Sequence, residues 1–252
     1  MNAGCKTADC TGAVTLAQRA AALLICALGF PLHLFICLAI RLNDGGPALH
    51  RTPRLGKSGV VFELLKYRSM RVNAAHHLSL GMKMVIQEND PRVTAIGSFL
   101  RCGLDELPQL WNIAKGDMAW IGPRPDPDWM LPHYGPTCRE RLAILPGITG
   151  FAQLLNSRYL TTSEGFALDI WYSDHHSWWL NLWIILATPL FVAGWHSVGK
   201  PRLLRLRLDP EFQDLSRRCE KEFTESQEFL LASANFKTYL PPNTLLVDPS
   251  RP

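Results

Sequence analysis

The chain has 252 residues, 47% hydrophobic and 19% charged, and carries a formal net charge of +4. That length suits one or two domains with a real core, and the apolar bias exceeds that of a typical soluble domain. A positive balance this mild gives no reason to expect a nucleic-acid partner. It fits ordinary surface composition, or affinity for anionic headgroups and phosphorylated substrates. Seven cysteines without a CxxC pair read as reduced thiols, not as a disulfide framework or zinc site. The pairs His76-His77 and His175-His176 lack helical ligand spacing and read as solvated.

The first element is the run Ala20–Ile40, which contains no Asp, Glu, Lys or Arg and is flanked by Arg19 and Arg41. At about 1.5 Å per residue it reaches across a hydrocarbon core of about 30 Å. No small-residue cleavage site follows it, which favours membrane insertion over a removed signal peptide. Gly29 and Pro31 interrupt it, so a kink or break is expected there. The helix either spans with a kink or turns back, and the cost of irregular backbone in lipid makes spanning the generic default. Both readings place residues after 41 in the cytoplasm, given Arg41, Arg51, Arg54 and Lys57.

Residues 43–59 read as a Gly-, Pro- and base-rich linker, and Val60–Met70 as strand or helix. Apolar spacing predicts a helix around Asn73–Glu88, and a new element starts at Asp90-Pro91 and runs through Gly97 to Leu100. Pro108 suits the first turn of a helix over Gln109–Ala114, placing Asp105 and Glu106 at or just before its N-terminus. A second apolar run, Ser177–Gly199, has tryptophans at both ends, and Asn181 and Thr188 could mark a polar face. It is expected to lie on or partly in the cytoplasmic leaflet. Asp209 and Pro210 then open a short amphipathic helix with Phe212, Leu215, Cys219 and Phe223 on one stripe, and no fixed structure is expected from Pro241 onward.

The densest chemistry lies in Leu104–Pro125. An adjacent acid pair, Asp105-Glu106, precedes a basic turn, Gly122-Pro123-Arg124-Pro125, with Arg101 and Arg124 available to neutralise charge. Asp117 falls in a turn, and Pro146–Gly150 is a backbone-rich turn where a ligand could come close. Acids beside arginines suit Mg²⁺-dependent attack on a phosphate, and a guanidinium fork fits phosphate oxygens.

These segments resemble the bacterial sugar transferases, the monotopic phosphoglycosyl transferases. The likeness is carried by Lys66–Met70, Asp90–Thr94, LDELPQLWN, KGDM, IGPRP and Pro146–Gln153. The resemblance implies a mainly α fold with short β and irregular elements, inserted in one face of the membrane by a re-entrant helix-break-helix and interfacial amphipathic helices. This reverses the generic default at Pro31. It implies three parts: a membrane segment 1–42, a catalytic domain 43–200 on the cytoplasmic face of the bacterial inner membrane, and an extension 201–252.

By the same resemblance Asp105 is the nucleophile and Glu106 the Mg²⁺ ligand. Arg124 contacts phosphate or nucleotide, and Lys66, Arg68, Arg101 and Arg141 match basic positions expected to bind substrate. The implied partners are a UDP-sugar donor, a polyprenyl phosphate acceptor and membrane lipids, with homo-oligomerisation open. Three departures from the family pattern stand out: Arg101 is four residues from Asp105 instead of five, Gly103 replaces a serine, and Asn181 replaces an aspartate. The expected function is sugar 1-phosphate transfer through a phosphosugar-aspartate, releasing UMP and starting glycoconjugate or exopolysaccharide assembly. The alternative is a non-catalytic membrane scaffold that recruits later glycosylation enzymes.

Overall fold

A computed structural model describes residues 10–72, 74, 76–78, 90–155, 160–232 and 244–246. It is mainly helical, with three two-stranded pairings, as the sequence suggests. The apolar run forms two helices, α1 (Cys10–Leu28) and α2 (Phe30–Asp44), bent by 63°. The break falls at Gly29, before Pro31. Pro31 sits in the first turn of α2, where its missing N–H costs nothing and its fixed φ suits a helix start. Among the described residues no single helix is long and apolar enough to cross a membrane.

Both ends of the bent pair are fastened to the folded body. Near the start, Gln18 accepts from the Trp120 backbone N–H at 3.1 Å, and its carbonyl accepts from the Trp120 indole at 3.2 Å. Arg19 donates to the carbonyls of Ala114 and Lys115 at the end of the helix Gln109–Lys115, so it caps that helix. Farther on, Ile36 and Ile40 pack with Tyr67 and Leu100, and Asp44 pairs with Arg68. Leu24, Leu28, Phe30, Leu34 and Phe35 on either side of the bend are exposed.

The expected linker over 43–59 contains β1 (Leu49–Leu55), paired antiparallel with β2 (Val61–Tyr67). Pro53 lies in a two-stranded pairing, where β1 is an edge strand with only an isolated bridge, Arg54 to Pro127, on its other side. Most of the helix expected over Asn73–Glu88 lies outside the described residues. Its part His76–Leu78 is a strand, β3, paired in parallel with residues Thr244–Leu246, so long-range pairing overrides local spacing. The same pairing gives the tail after Pro241 a short element where none was expected.

Thr94 caps α3 (Ala95–Leu100) by accepting from the Gly97 N–H at 2.9 Å. A turn over Leu104–Glu106 leads into α4 (Gln109–Lys115), close to the predicted limits. Strand β4 (Ala119–Ile121) then pairs in parallel with β5 (Gly147–Thr149). The glycine-rich turn expected to admit a ligand is therefore a strand. Its glycines admit backbone, since a Cβ at Gly147 or Gly150 would collide with Gly122.

Between these strands lies α5 (Pro136–Arg139), and after them come α6 (Phe151–Leu154) and α7 (Thr162–His175). Helix α7 starts with a full capping box between Thr161 and Glu164. Helix α8 (Trp178–Val192) buries Leu180, Ile184 and Ala187 and exposes Trp178, Trp179, Ile185 and Leu186. Asn181 and Thr188 point inward, accepting from Tyr172 and bonding Thr149. After α9 (Lys200–Leu206), α10 (Pro210–Ala232) runs 23 residues, longer than expected. Its predicted stripe is buried in one core with α7 and α8. The last strand is β6 (Thr244–Leu246). Cys138 and Cys219 are buried free thiols, Cys26 and Cys37 are partly covered, and Cys102 is exposed.

Candidate active site

The acid pair sits in the turn between α3 and α4. Gly103 opens that turn at φ 109°, a left-handed conformation that a serine would strain. Val192 at the end of α8 fills the space beside it, 3.5 Å from where a Cβ would be.

Asn112 sets the distance between this turn and β2. Fully buried, it accepts from the Leu65 N–H at 3.0 Å and donates to the Glu63 carbonyl at 2.7 Å and to Asp117 at 3.3 Å. By stapling α4 to β2 on both sides of Leu64, it brings Lys66 to Glu106, where Nζ lies 2.8 Å from Oε1. Nothing in the local sequence around Asn112 or Asp117 marks this task.

The basic turn reaches the same oxygen, with Arg124 Nη2 2.7 Å from Glu106 Oε1. Pro123, Pro125 and Pro127 have no N–H, so this segment is held through its carbonyls. The Pro123 carbonyl accepts from Gly147 (2.9 Å), Arg124 from Arg141 (3.0 Å), Pro125 from Arg54 (3.2 Å) and Asp126 from Leu55 (2.8 Å). Four consecutive carbonyls thereby fix the backbone that presents Arg124.

The two acids differ in their surroundings. Burial alone would raise the Glu106 carboxyl, but Arg124 and Lys66 outweigh it and hold it down at about 2. No hydrogen bond or ion pair holds Asp105 among the described residues. Burial raises its carboxyl above the ordinary value, against the opposing pull of Lys66, Arg124 and Arg101. One acid is a fixed, paired anion and the other is unpaired and partly desolvated. Burial and Arg124 lower Lys66, while Arg124 itself is raised, chiefly by Glu106.

The other expected basic residues lie elsewhere. Arg101 reaches Ser69 Oγ at 3.4 Å and influences Asp105 only through its charge. Arg68 is buried and engaged with Asp44. Arg141 is 3% exposed and uses all five guanidinium N–H groups, on Asp126, the Tyr134 hydroxyl, Asp169 twice and the Arg124 carbonyl. It positions the basic turn and has no donor left for a ligand. Arg54, absent from the expected set, does belong. It holds the turn from β1, and its charge is felt by both Arg124 and Glu106. In the sequence it stood out only as one of the bases after the apolar run.

Lys66 and Arg124 thus act on both carboxylates and Arg54 adds its charge on the Glu106 side, a setting suited to an anionic substrate. Among the described residues no three His, Cys, Asp or Glu side chains converge on a metal position. Mg²⁺ is commonly held by one or two carboxylates together with substrate phosphates and water, and Asp105 with Glu106 Oε2 could supply that share.

A profile described as bacterial sugar transferase matches residues 13–194. The galactosyl transferase CpsE of Streptococcus agalactiae is 38% identical over 190 residues, which cover 71% of this chain and 40% of that protein. The UDP-glucose:undecaprenyl-phosphate glucose-1-phosphate transferase of Caulobacter vibrioides is 39% identical over 178 residues, 67% of this chain and 65% of the relative. The protein of the same name from Xanthomonas campestris is 36% identical over 174 residues, 66% of this chain and 35% of the relative. The chain thus spans from about a third to just under two thirds of these relatives' length.

Proposed function

This chain belongs to the bacterial sugar transferase family, and from that premise we propose that it moves a sugar 1-phosphate from a UDP-sugar to polyprenyl phosphate in two covalent steps. Asp105 attacks the sugar-proximal phosphorus. A carboxylate–phosphorus bond forms as the bond to the bridging oxygen breaks, and UMP leaves. An oxygen of polyprenyl phosphate then attacks the same phosphorus, frees Asp105 and yields a polyprenyl diphosphosugar. The observation that carries this reading is the unpaired Asp105 beside a Glu106 fixed by Lys66 and Arg124.

Lys66, Arg124 and Arg54 neutralise the diphosphate and the charge that collects on the departing UMP, and Arg124's turn sets the phosphate's position. Glu106 would hold Mg²⁺ if the ion binds here. A bound Mg²⁺ would lower repulsion between the anions and stabilise the leaving phosphate. The shortened Arg101 spacing leaves Glu106, Lys66 and Arg124 joined beside Asp105.

The bent pair supports a re-entrant topology, and Arg41, Arg51, Arg54 and Lys57 after it favour the cytoplasmic face of the inner membrane. Gln18 and Arg19 at one end and Ile36–Asp44 at the other all contact the same domain, and a straight span would carry those ends to opposite faces. The active site would then sit at headgroup depth, within reach of soluble donor and lipid acceptor.

The test is a panel of UDP-sugars labelled in the sugar-proximal phosphate, with polyprenyl phosphate and Mg²⁺. UMP release is expected, with label passing to the lipid when the acceptor is present and retained on denatured wild-type protein when it is withheld. Asp105→Asn should lose both, with turnover reduced by about 10³-fold or more. Near-normal turnover of that variant, with deamidation excluded, overturns the assignment.

A further inference from the structure

Helix α10 lies beyond the segment matched by the family profile, yet it is seated on the stretch of chain that joins the basic turn to Arg141. Its contact face carries Cys219, Glu222, Phe223 and Ser226, which recur at helical spacing. Cys219 and Phe223 are buried, and Phe223 meets Phe166 of α7 with ring centres 5.8 Å apart. The two polar members of the face reach residues 133–138. Glu222 Oε2 accepts from the Thr137 N–H at 2.9 Å and from the Cys138 N–H at 3.4 Å, while Oε1 accepts from the Thr137 hydroxyl at 2.6 Å. Gly135 leaves room for this carboxylate, since a Cβ there would lie 2.3 Å from Oε2.

One helical turn farther on, the Ser226 hydroxyl donates to the His133 carbonyl at 2.8 Å, shared with the Phe223 carbonyl of its own helix at 2.9 Å. The His133 imidazole is fully buried and neither of its nitrogens has a hydrogen-bond partner, so packing and this carbonyl place the residue. Tyr134 is therefore fixed on both sides, by His133 before it and Gly135–Thr137 after it. Its hydroxyl donates to Asp126 at 2.5 Å and accepts from Arg141 Nη1 at 2.6 Å. Arg141 in turn holds Asp126 and the Arg124 carbonyl, and Arg124 reaches Glu106. Each step from Glu222 to Arg124 is a hydrogen bond or a run of a few residues in a buried, packed segment.

We propose that Glu222 and Ser226 are positioning residues for the transfer reaction. Through Tyr134 and Arg141 they set the place of Arg124, which makes α10 a working part of the donor-phosphate site. This rests on the role given to Arg124 above. Without Glu222, two backbone N–H groups and a hydroxyl lose their acceptor, which favours a shift of residues 135–138 toward water. Tyr134 and Arg141 move with them, and the basic turn loses its register against Glu106.

The experiment is a double-mutant cycle on kcat/KM for UMP release by the full chain in detergent, with denaturant melts giving the stability of each variant. Glu222→Ala is expected to lower kcat/KM by about 10-fold in the wild-type background, as misplacement of a site from a distance does. In Arg124→Gln the same change is expected to cost less than about 2-fold, because the side chain it positions is gone. Glu222→Gln is expected to restore most of the loss, since its amide can accept from both N–H groups and donate to the Thr137 hydroxyl. Lys221→Gln, 78% exposed on the other face of α10, is expected to leave kcat/KM unchanged. Ser226→Ala is expected to cost about 3-fold, again only where Arg124 is present, and it decides the matter should Glu222→Ala not fold. Wild-type kcat/KM in the folded variant, or an equal loss in both backgrounds, overturns the positioning role alone. Wild-type turnover by Arg124→Gln overturns the reading of Arg124 and this proposal with it.

Discussion

Arg124 and Arg141 are 17 residues apart and joined by one hydrogen bond, yet their surroundings are opposite. Arg124 has a side chain 50% exposed and one ionic partner, leaving most of its fork free. Arg141 is buried and saturated by two carboxylates, a hydroxyl and a carbonyl. Burial opposes its charge, but Asp126, Tyr134 and Asp169 together hold it firmly protonated. An arginine that meets a substrate must keep donors free, and one that fixes a turn must spend them. The two separate stability from chemistry, and substitutions at each should separate them in experiment.

The largest effect is expected at Arg141. Arg141→Met leaves Asp126 and Asp169 without their cation in a buried place, and should lower unfolding stability by about 3–5 kcal/mol. Arg141→Lys should recover only part, because an ammonium has three donors in place of a five-donor fork. Denaturant melts in detergent would measure both. A loss below about 1 kcal/mol would show that the network contributes little and that Arg141 resembles Arg124.

Arg124→Gln should do the reverse, leaving stability within about 0.5 kcal/mol. It should lower kcat/KM by about 10²–10³-fold, the usual cost of removing one preorganised donor from a developing anion. Parallel melts and UMP-release kinetics would decide. A large stability loss with unchanged kinetics would reverse the roles assigned to the two residues.

A smaller effect is expected in acid. The folded Glu106 carboxyl titrates at about 2, below its ordinary 4.5, so its pairing stabilises the fold above the ordinary value. That contribution is lost as pH falls through this interval. Glu106→Gln should therefore flatten the pH dependence of stability between about 4.5 and 2. An unchanged acid limb in urea melts would mean that the Lys66 and Arg124 contacts are not maintained in solution.

What could be read in the sequence follows from how local each feature is. The Leu104–Glu106 turn and α4 depend on neighbours such as Gly103 and Pro108, so the acid pair and its helix were legible. The stripe of α10 was legible for the same reason, while its burial against Phe166 and Tyr134 depends on segments far along the chain. Arg68 and Arg141 look like Arg124 in sequence, because nothing local shows that Asp44 or Asp169 will take their donors. Gly147 and Gly150 were read as room for a ligand because a sequence cannot show that the Gly122 backbone fills it. Asn112 escaped notice since its three partners lie on another element or past the end of its own helix.

The finest test concerns the charges around Asp105, where burial raises the carboxyl and Lys66, Arg124 and Arg101 lower it, in that order. A nucleophilic carboxylate must be ionised, so kcat/KM should rise with pH as Asp105 loses its proton. Removing a cation raises that titration further and moves the acid limb to higher pH. Lys66→Gln should shift the limb most and Arg124→Gln less. Arg101→Gln should shift it least, with little loss of rate, because the Arg101 guanidinium is turned to Ser69. The measurement is kcat/KM against pH for wild type and the three variants, with each limb fitted separately. If Arg101→Gln moves the limb as far as Lys66→Gln, then Arg101 leaves Ser69 during turnover and joins the site, and the shortened spacing to Asp105 serves the chemistry directly.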